Sequence, residues 1–232
     1  MANNSQERYN ERMYLQDGES EISTQSYNLI LGGTLLYGFL VNCFLVYFCA
    51  DSAIDMIDGN PIIFYIGYFV LAIAGSFMIN GSKNPVVSFI GYNCFVLPLG
   101  IMLSYLIYYY NAAGFQSTVI TAFAITAIVT GVLMVLSSVF PAFFLNLGKA
   151  LFVTLLVTIV LEVIMMIAGA SLGIIDYIVV LIFCGYVGYD WARANICAKT
   201  VDNAIDCAAS LYLDIVNLFV RLLAILARAK DN

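Results

Sequence analysis

Asp190 and Asp214 lie in apolar sequence near the end of the chain. The first closes the stretch Cys184-Gly-Tyr-Val-Gly-Tyr-Asp190 and the second sits inside Leu211-Tyr-Leu-Asp-Ile-Val-Asn-Leu-Phe219. Ionisable groups at membrane depth are costly and usually functional. Two carboxylates within hydrogen-bonding distance cannot both ionise cheaply, so such a pair shares one proton and titrates as a unit. Carboxylate oxygens also suit a hard cation such as Ca2+, which Asp190 and Asp214 would hold weakly, in passage rather than in storage. The chain has no histidine. That excludes histidine metal ligation, histidine relays and histidine-based pH sensing, so a proton switch falls to the carboxylates.

Other polar groups compete for these roles. A bland reading of Asp190 is an interfacial carboxylate neutralised by Arg193, one turn on. Asp214 lies too deep in its run for a short side chain to reach the interface. Glu162, inside Thr158-Ile-Val-Leu-Glu-Val-Ile-Met-Met166, is either a protonated core group or a ligand on a cation path, and Asn217 and Asp206 are the other candidates for that path. Asp176 reads as an interface residue, and Asp202 and Asp206 as caps at the start of the last run, where carboxylates suit the helix dipole.

The elements that must position these groups are membrane helices. With 62% hydrophobic and 10% charged residues, the chain is too apolar for a soluble domain. Its 232 residues leave room for six to eight spans of about 20 residues each. Seven apolar runs are predicted, at 28–50, 61–80, 85–110, 115–140, 149–170, 174–189 and 204–227. Residues 1–27 are expected to be a mobile, acidic, cytosolic tail without the pattern of a cleaved signal peptide, and residues 28–232 a seven-helix transmembrane domain. The fold class is therefore all-α integral membrane protein. The last helix, interrupted by Asp206, Asp214, Asn217 and Arg221, is expected to be central and surrounded by the other six, because lipid cannot solvate it.

Asn60-Pro61 and Asn84-Pro85 mark helix starts. Pro98, inside the third run, predicts a kink, and Thr118, Ala122, Thr126 and Thr130 form a small-residue packing seam. Arg8, Arg12, Lys83, Lys149, Arg193 and Lys199 fall in the N-terminal tail and alternate connections, whereas 51–60, 111–114 and 170–173 have no basic residue; this places the N-terminus in the cytosol. The six cysteines, without a C-x-x-C pair, read as reduced buried side chains. No basic clustering suggests nucleic acid, and no cofactor is implied; the partners expected are the lipid bilayer, calcium and protons.

The stretch from Phe183 to Leu226, with Tyr189-Asp190 ending one helix and Ser210-Leu-Tyr-Leu-Asp-Ile-Val-Asn-Leu-Phe219 within the next, resembles the transmembrane Bax inhibitor motif family. The resemblance implies seven helices with the last one central, and a calcium leak controlled by a di-aspartyl pH sensor on Asp190 and Asp214. Members often carry an arginine near the cytosolic end of helix two; here that region reads Met78-Ile-Asn-Gly-Ser-Lys83, which leaves Lys83, Arg193 and Arg221 as candidate basic partners. The function expected is a pH-sensitive calcium leak, not an enzyme, with a cation/proton exchanger as the near alternative. A di-aspartyl intramembrane protease lacks its Gly-x-Gly-Asp motif here, a retinal pump lacks a lysine in the last run, and a non-transporting interaction protein is the remaining reading. The compact loops lean toward a bacterial plasma membrane.

Overall fold

The computed structural model describes residues 12–15, 20–169 and 173–231. From Ser23 onward the described residues form eight α-helices and no strand: α1 Thr24–Phe48, α2 Ala50–Gly59, α3 Pro61–Gly81, α4 Pro85–Ala112, α5 Gln116–Val139, α6 Pro141–Ile167, α7 Gly173–Ile196 and α8 Val201–Asp231. All except α2 are long and apolar enough to cross a membrane.

Local chemistry sets several boundaries. Asn60 accepts from the Ile63 N–H at 3.2 Å and Asn84 from the Val86 N–H at 3.0 Å, each followed by a first-turn proline whose missing N–H costs the helix nothing. At α8 the cap is neither Asp202 nor Asp206. Thr200 Oγ1 accepts from the Asn203 N–H at 3.1 Å, which leaves both aspartates inside the helix.

Three expected connections are helical. Residues 51–60, read as a loop, form most of α2, whose Ala53 and Ile57 are buried one turn apart while Asp51, Asp55 and Asp58 stay exposed. The fifth span starts at Pro141 rather than at residue 149, so Lys149 is a helical residue of α6. The sixth span runs on to Ile196. Asp190 therefore does not end its helix: Ala192 and Ala194 continue it, and Arg193 pairs with Asp190 across one turn. Only Cys197–Thr200 separate α7 from α8.

The chain divides into two compact units. One comprises the described residues up to Ala113 together with Ile196–Ser210; the other comprises Gly114–Asn195 and the chain from Leu211 onward. In the first unit α3 and α4 meet backbone to backbone, and a Cβ on Gly75 would lie 2.7 Å from the Gly91 carbonyl oxygen. Tyr92, fully buried, donates to the Thr34 carbonyl at 3.1 Å. Helix α4 is continuous through Pro98, and Gly100 packs against Asn42 and Leu45 of α1. The segment expected to be a mobile tail is anchored where it is described, because the Ile22 N–H donates to the Lys199 carbonyl at 2.8 Å and the Ala198 N–H to the Arg12 carbonyl at 3.0 Å.

In the second unit Ile175, Val179, Phe183 and Leu218 form a buried apolar cluster, and Phe123 meets Phe219 edge to face. The seam residues Thr118, Ala122, Thr126 and Thr130 are all buried. Gly188 admits the Phe144 ring where a Cβ would stand, and its carbonyl accepts from Ser137 Oγ at 2.6 Å. These contacts fix the backbone two residues before Asp190.

Candidate functional site

Helix α8 carries most of the charge of the two units' interiors. At about 100° per residue, Asp202, Asp206, Asp214, Asn217, Arg221 and Arg228 fall within an arc of about 120°. One stripe of an otherwise apolar helix is thus polar. From Val201 to Ala227 no residue of α8 is exposed, so the stripe needs partners in the protein rather than lipid or water.

Asp214, in the middle of α8, is 7% exposed and Asp190, near the end of α7, is 6% exposed. Their carboxyl groups are close enough to act on each other. Since neither carboxylate can donate when ionised, a hydrogen bond between them would require a proton on one of them. Asp214 Oδ2 is buried and has no hydrogen-bond partner among the described residues. Arg193 Nη2 lies 3.3 Å from Asp190 Oδ1 and its guanidinium stands 5.9 Å from the Tyr189 ring centre; it acts electrostatically on Asp214 as well. Tyr186 is near both aspartates. The pair and its cation therefore sit in the second unit on two neighbouring helices, which a four-residue connection joins.

The other candidates go elsewhere. Arg221 is not at the pair: its Nη1 lies 2.7 Å from Asp176 Oδ1 and its Nη2 2.8 Å from Glu162 Oε1. Arg228 also pairs with Asp176. Asp176 is 2% exposed, so it is the centre of an ion cluster and not the interface residue it resembled. Glu162 thus has Arg221 as its ion-pair partner. Arg228 was missed; its seven-residue offset from Arg221, which returns it to the same face, was the available signal. Asn217 Nδ2 donates to the Leu213 carbonyl of its own helix at 2.8 Å.

In the first unit Asp202 accepts from Ser88 Oγ at 2.7 Å and Asp206 pairs with Arg12 at 2.8 Å. Arg12 had been read only as a loop charge, and nothing in the sequence links it to Asp206. Lys83 lies in the connection between α3 and α4, also in this unit. Among the described residues no three Cys, Asp or Glu side chains gather as a metal-binding group. Calcium at Asp190 and Asp214 would meet two carboxylates beside a fixed guanidinium, a weak arrangement suited to passage.

The chain is similar to membrane proteins of several bacteria. It is 29% identical over 168 residues to an uncharacterised protein of Helicobacter pylori strain 26695, covering 71% of this chain and 72% of that one. An uncharacterised membrane protein of Streptococcus pyogenes serotype M3 is 27% identical over 221 residues, covering 91% and 94%. The inner membrane protein YbhL of Escherichia coli K12 is 24% identical over 217 residues, covering 87% and 91%. The model of the family described as inhibitor of apoptosis-promoting Bax1 matches residues 20–232, a range that includes all seven candidate spans, Asp190 and Asp214. The chain is an integral membrane protein and belongs to the Bax inhibitor family.

Proposed function

We propose that the protein is a calcium-permeable leak whose conductance follows the protonation of the Asp190–Asp214 pair, with Arg193 as its basic partner. The observation that carries this reading is the closeness of two carboxyl groups on neighbouring helices, each less than a tenth exposed. A single proton holds α7 to α8 at this level. Once it leaves, two like charges face each other, and at about 4 Å and an effective dielectric of about 20 their repulsion is on the order of 4 kcal/mol. Arg193 offsets part of it. The remainder is enough to move a two-state contact between the helices by one or more powers of ten.

A cytosolic N-terminus is part of the proposal, supported by the six basic residues on one side of the chain, although Lys149 and Arg193 stand on helices rather than in loops. An enclosed α8 is supported by the burial of Val201 to Ala227. A bacterial plasma membrane is supported by the likeness to an inner membrane protein.

Purified protein in liposomes holding a calcium dye should pass Ca2+ at a rate that changes between about pH 6 and pH 8, where buried carboxylate pairs titrate. Asp190→Asn and Asp214→Asn should each remove the pH response. Wild-type flux no greater than that of empty liposomes, or an intact pH response in both variants, would refute the proposal. Flux that requires an opposing proton gradient would make the protein an exchanger instead.

A further inference from the structure

The Arg12 side chain occupies a place built for a cation. Its Nη2 atom alone lies 2.8 Å from Asp206 Oδ2, 3.0 Å from the Ile79 carbonyl oxygen and 3.5 Å from Asn80 Oδ1. One nitrogen with two protons thus faces three oxygens, contributed by the end of α3 and the start of α8. Asn80 is oriented for this, since its Nδ2 donates to the Ser76 carbonyl at 2.8 Å and leaves Oδ1 toward Arg12. The Asp206 side chain is 0% exposed, and its Oδ1 has no hydrogen-bond partner among the described residues. Asp202, one turn earlier on the same face, receives the Ser88 hydroxyl at 2.7 Å. A buried carboxylate, a backbone carbonyl and a side-chain amide oxygen around one point are oxygen donors of the kind a hard divalent cation takes, with water completing six to eight ligands. All of these groups belong to the first unit.

We infer that this cradle is a divalent-cation site, of the calcium class, held closed by Arg12 acting as a tethered cation. The guanidinium satisfies one edge of Asp206 and leaves the other edge orphaned, an incomplete match for a carboxylate shielded from water. A calcium ion at the Nη2 position would need its oxygens to close to about 2.3–2.6 Å. Asn80 is exposed and Arg12 half-buried, so the rim is open to an entering ion. The inference rests on the leak reading only for the choice of calcium, and its site is separate from Asp190 and Asp214.

The test uses the full chain in detergent and calcium alone as the probe, with binding measured by equilibrium dialysis of labelled Ca2+. Arg12→Gln should gain one site per chain that binds at least tenfold more tightly than anything in the wild type. Arg12→Lys, which keeps a positive charge, should stay within about threefold of the wild type. Adding Asp206→Asn to Arg12→Gln should abolish the gain. Arg12→Ala, which also removes the tethered cation, should gain the same site and keeps the inference testable if Arg12→Gln does not fold. No gain in either Arg12→Gln or Arg12→Ala, or a gain that survives Asp206→Asn, overturns it. Gained binding in Arg12→Gln alongside a wild type that conducts nothing would sink the leak and leave the site standing; wild-type flux without gained binding would do the reverse.

Discussion

Removing Arg221 should destabilise the protein more than any single change to the acids it holds. Its guanidinium bridges Asp176 at 2.7 Å and Glu162 at 2.8 Å, while Arg228 pairs with Asp176 from the next turns of α8. The cluster is neutral, with two carboxylates and two guanidiniums. Arg221→Gln leaves Glu162, whose side chain is 19% exposed, with no cation among the described residues, and the cluster carries a net negative charge. Breaking a buried pair from one side costs about 3–5 kcal/mol, and because the Arg221 side chain is 28% exposed the cost is discounted to roughly 2–3 kcal/mol. For a chain of this size that is about 4–12 °C in Tm. Asp176→Asn should cost less, since Arg221 keeps Glu162 and Arg228, 44% exposed, can turn its charge toward solvent. The double variant Arg221→Gln/Glu162→Gln restores neutrality through Asp176 and Arg228, and should recover about half of the loss. Thermal unfolding of the four proteins in one detergent reads all of this. An Arg221→Gln Tm within 1 °C of the wild type, or losses that simply add in the double variant, would refute the reasoning.

Asp214→Asn should melt within about 1 kcal/mol of the wild type, because its amide can donate to Asp190 where the shared proton does, whereas Asp214→Ala removes the contact and should cost about 1–3 kcal/mol; equal losses in the two variants would argue against a shared proton. Gly75→Ala should lower Tm, because its Cβ would stand 2.7 Å from the Gly91 carbonyl oxygen and neither backbone can give way, a cost of about 1–3 kcal/mol. Gly67→Ala, with nothing within 4 Å of the added atom, should be neutral or stabilising, and the same melts compare the two.

Hydropathy made the seven spans legible, and the Asn-Pro pairs at 60–61 and 84–85 located two starts to the residue. It failed where helices run past their apolar stretch. Arg193 and Asn195 made 190–196 look like a loop, yet a helix ends where its hydrogen-bond ladder ends, and Ala192 and Ala194 keep that ladder going. The same error shortened α6 at Lys149 and hid α2, whose two buried residues among three exposed aspartates resemble a polar connection. The Asp190–Arg193 pair, one turn apart, was visible, but partners distant in sequence were not. Asp206 and Arg12 are brought together by the anchoring of the N-terminal segment along Ala198 and Lys199, and no local pattern encodes that.

What the partners add is a difference among the acids that α8 carries or meets. Asp206 is held by Arg12, and Asp176 and Glu162 by Arg221 and Arg228. A guanidinium does not release its proton in a protein, so each of these three acids has a permanent cation beside it. Asp202 receives a serine hydroxyl. Asp214 instead faces an acid of the neighbouring helix, Asp190, which Arg193 reaches from one turn on. Under the proposed leak, a proton gained or lost between Asp190 and Asp214 would act on the α7–α8 contact directly.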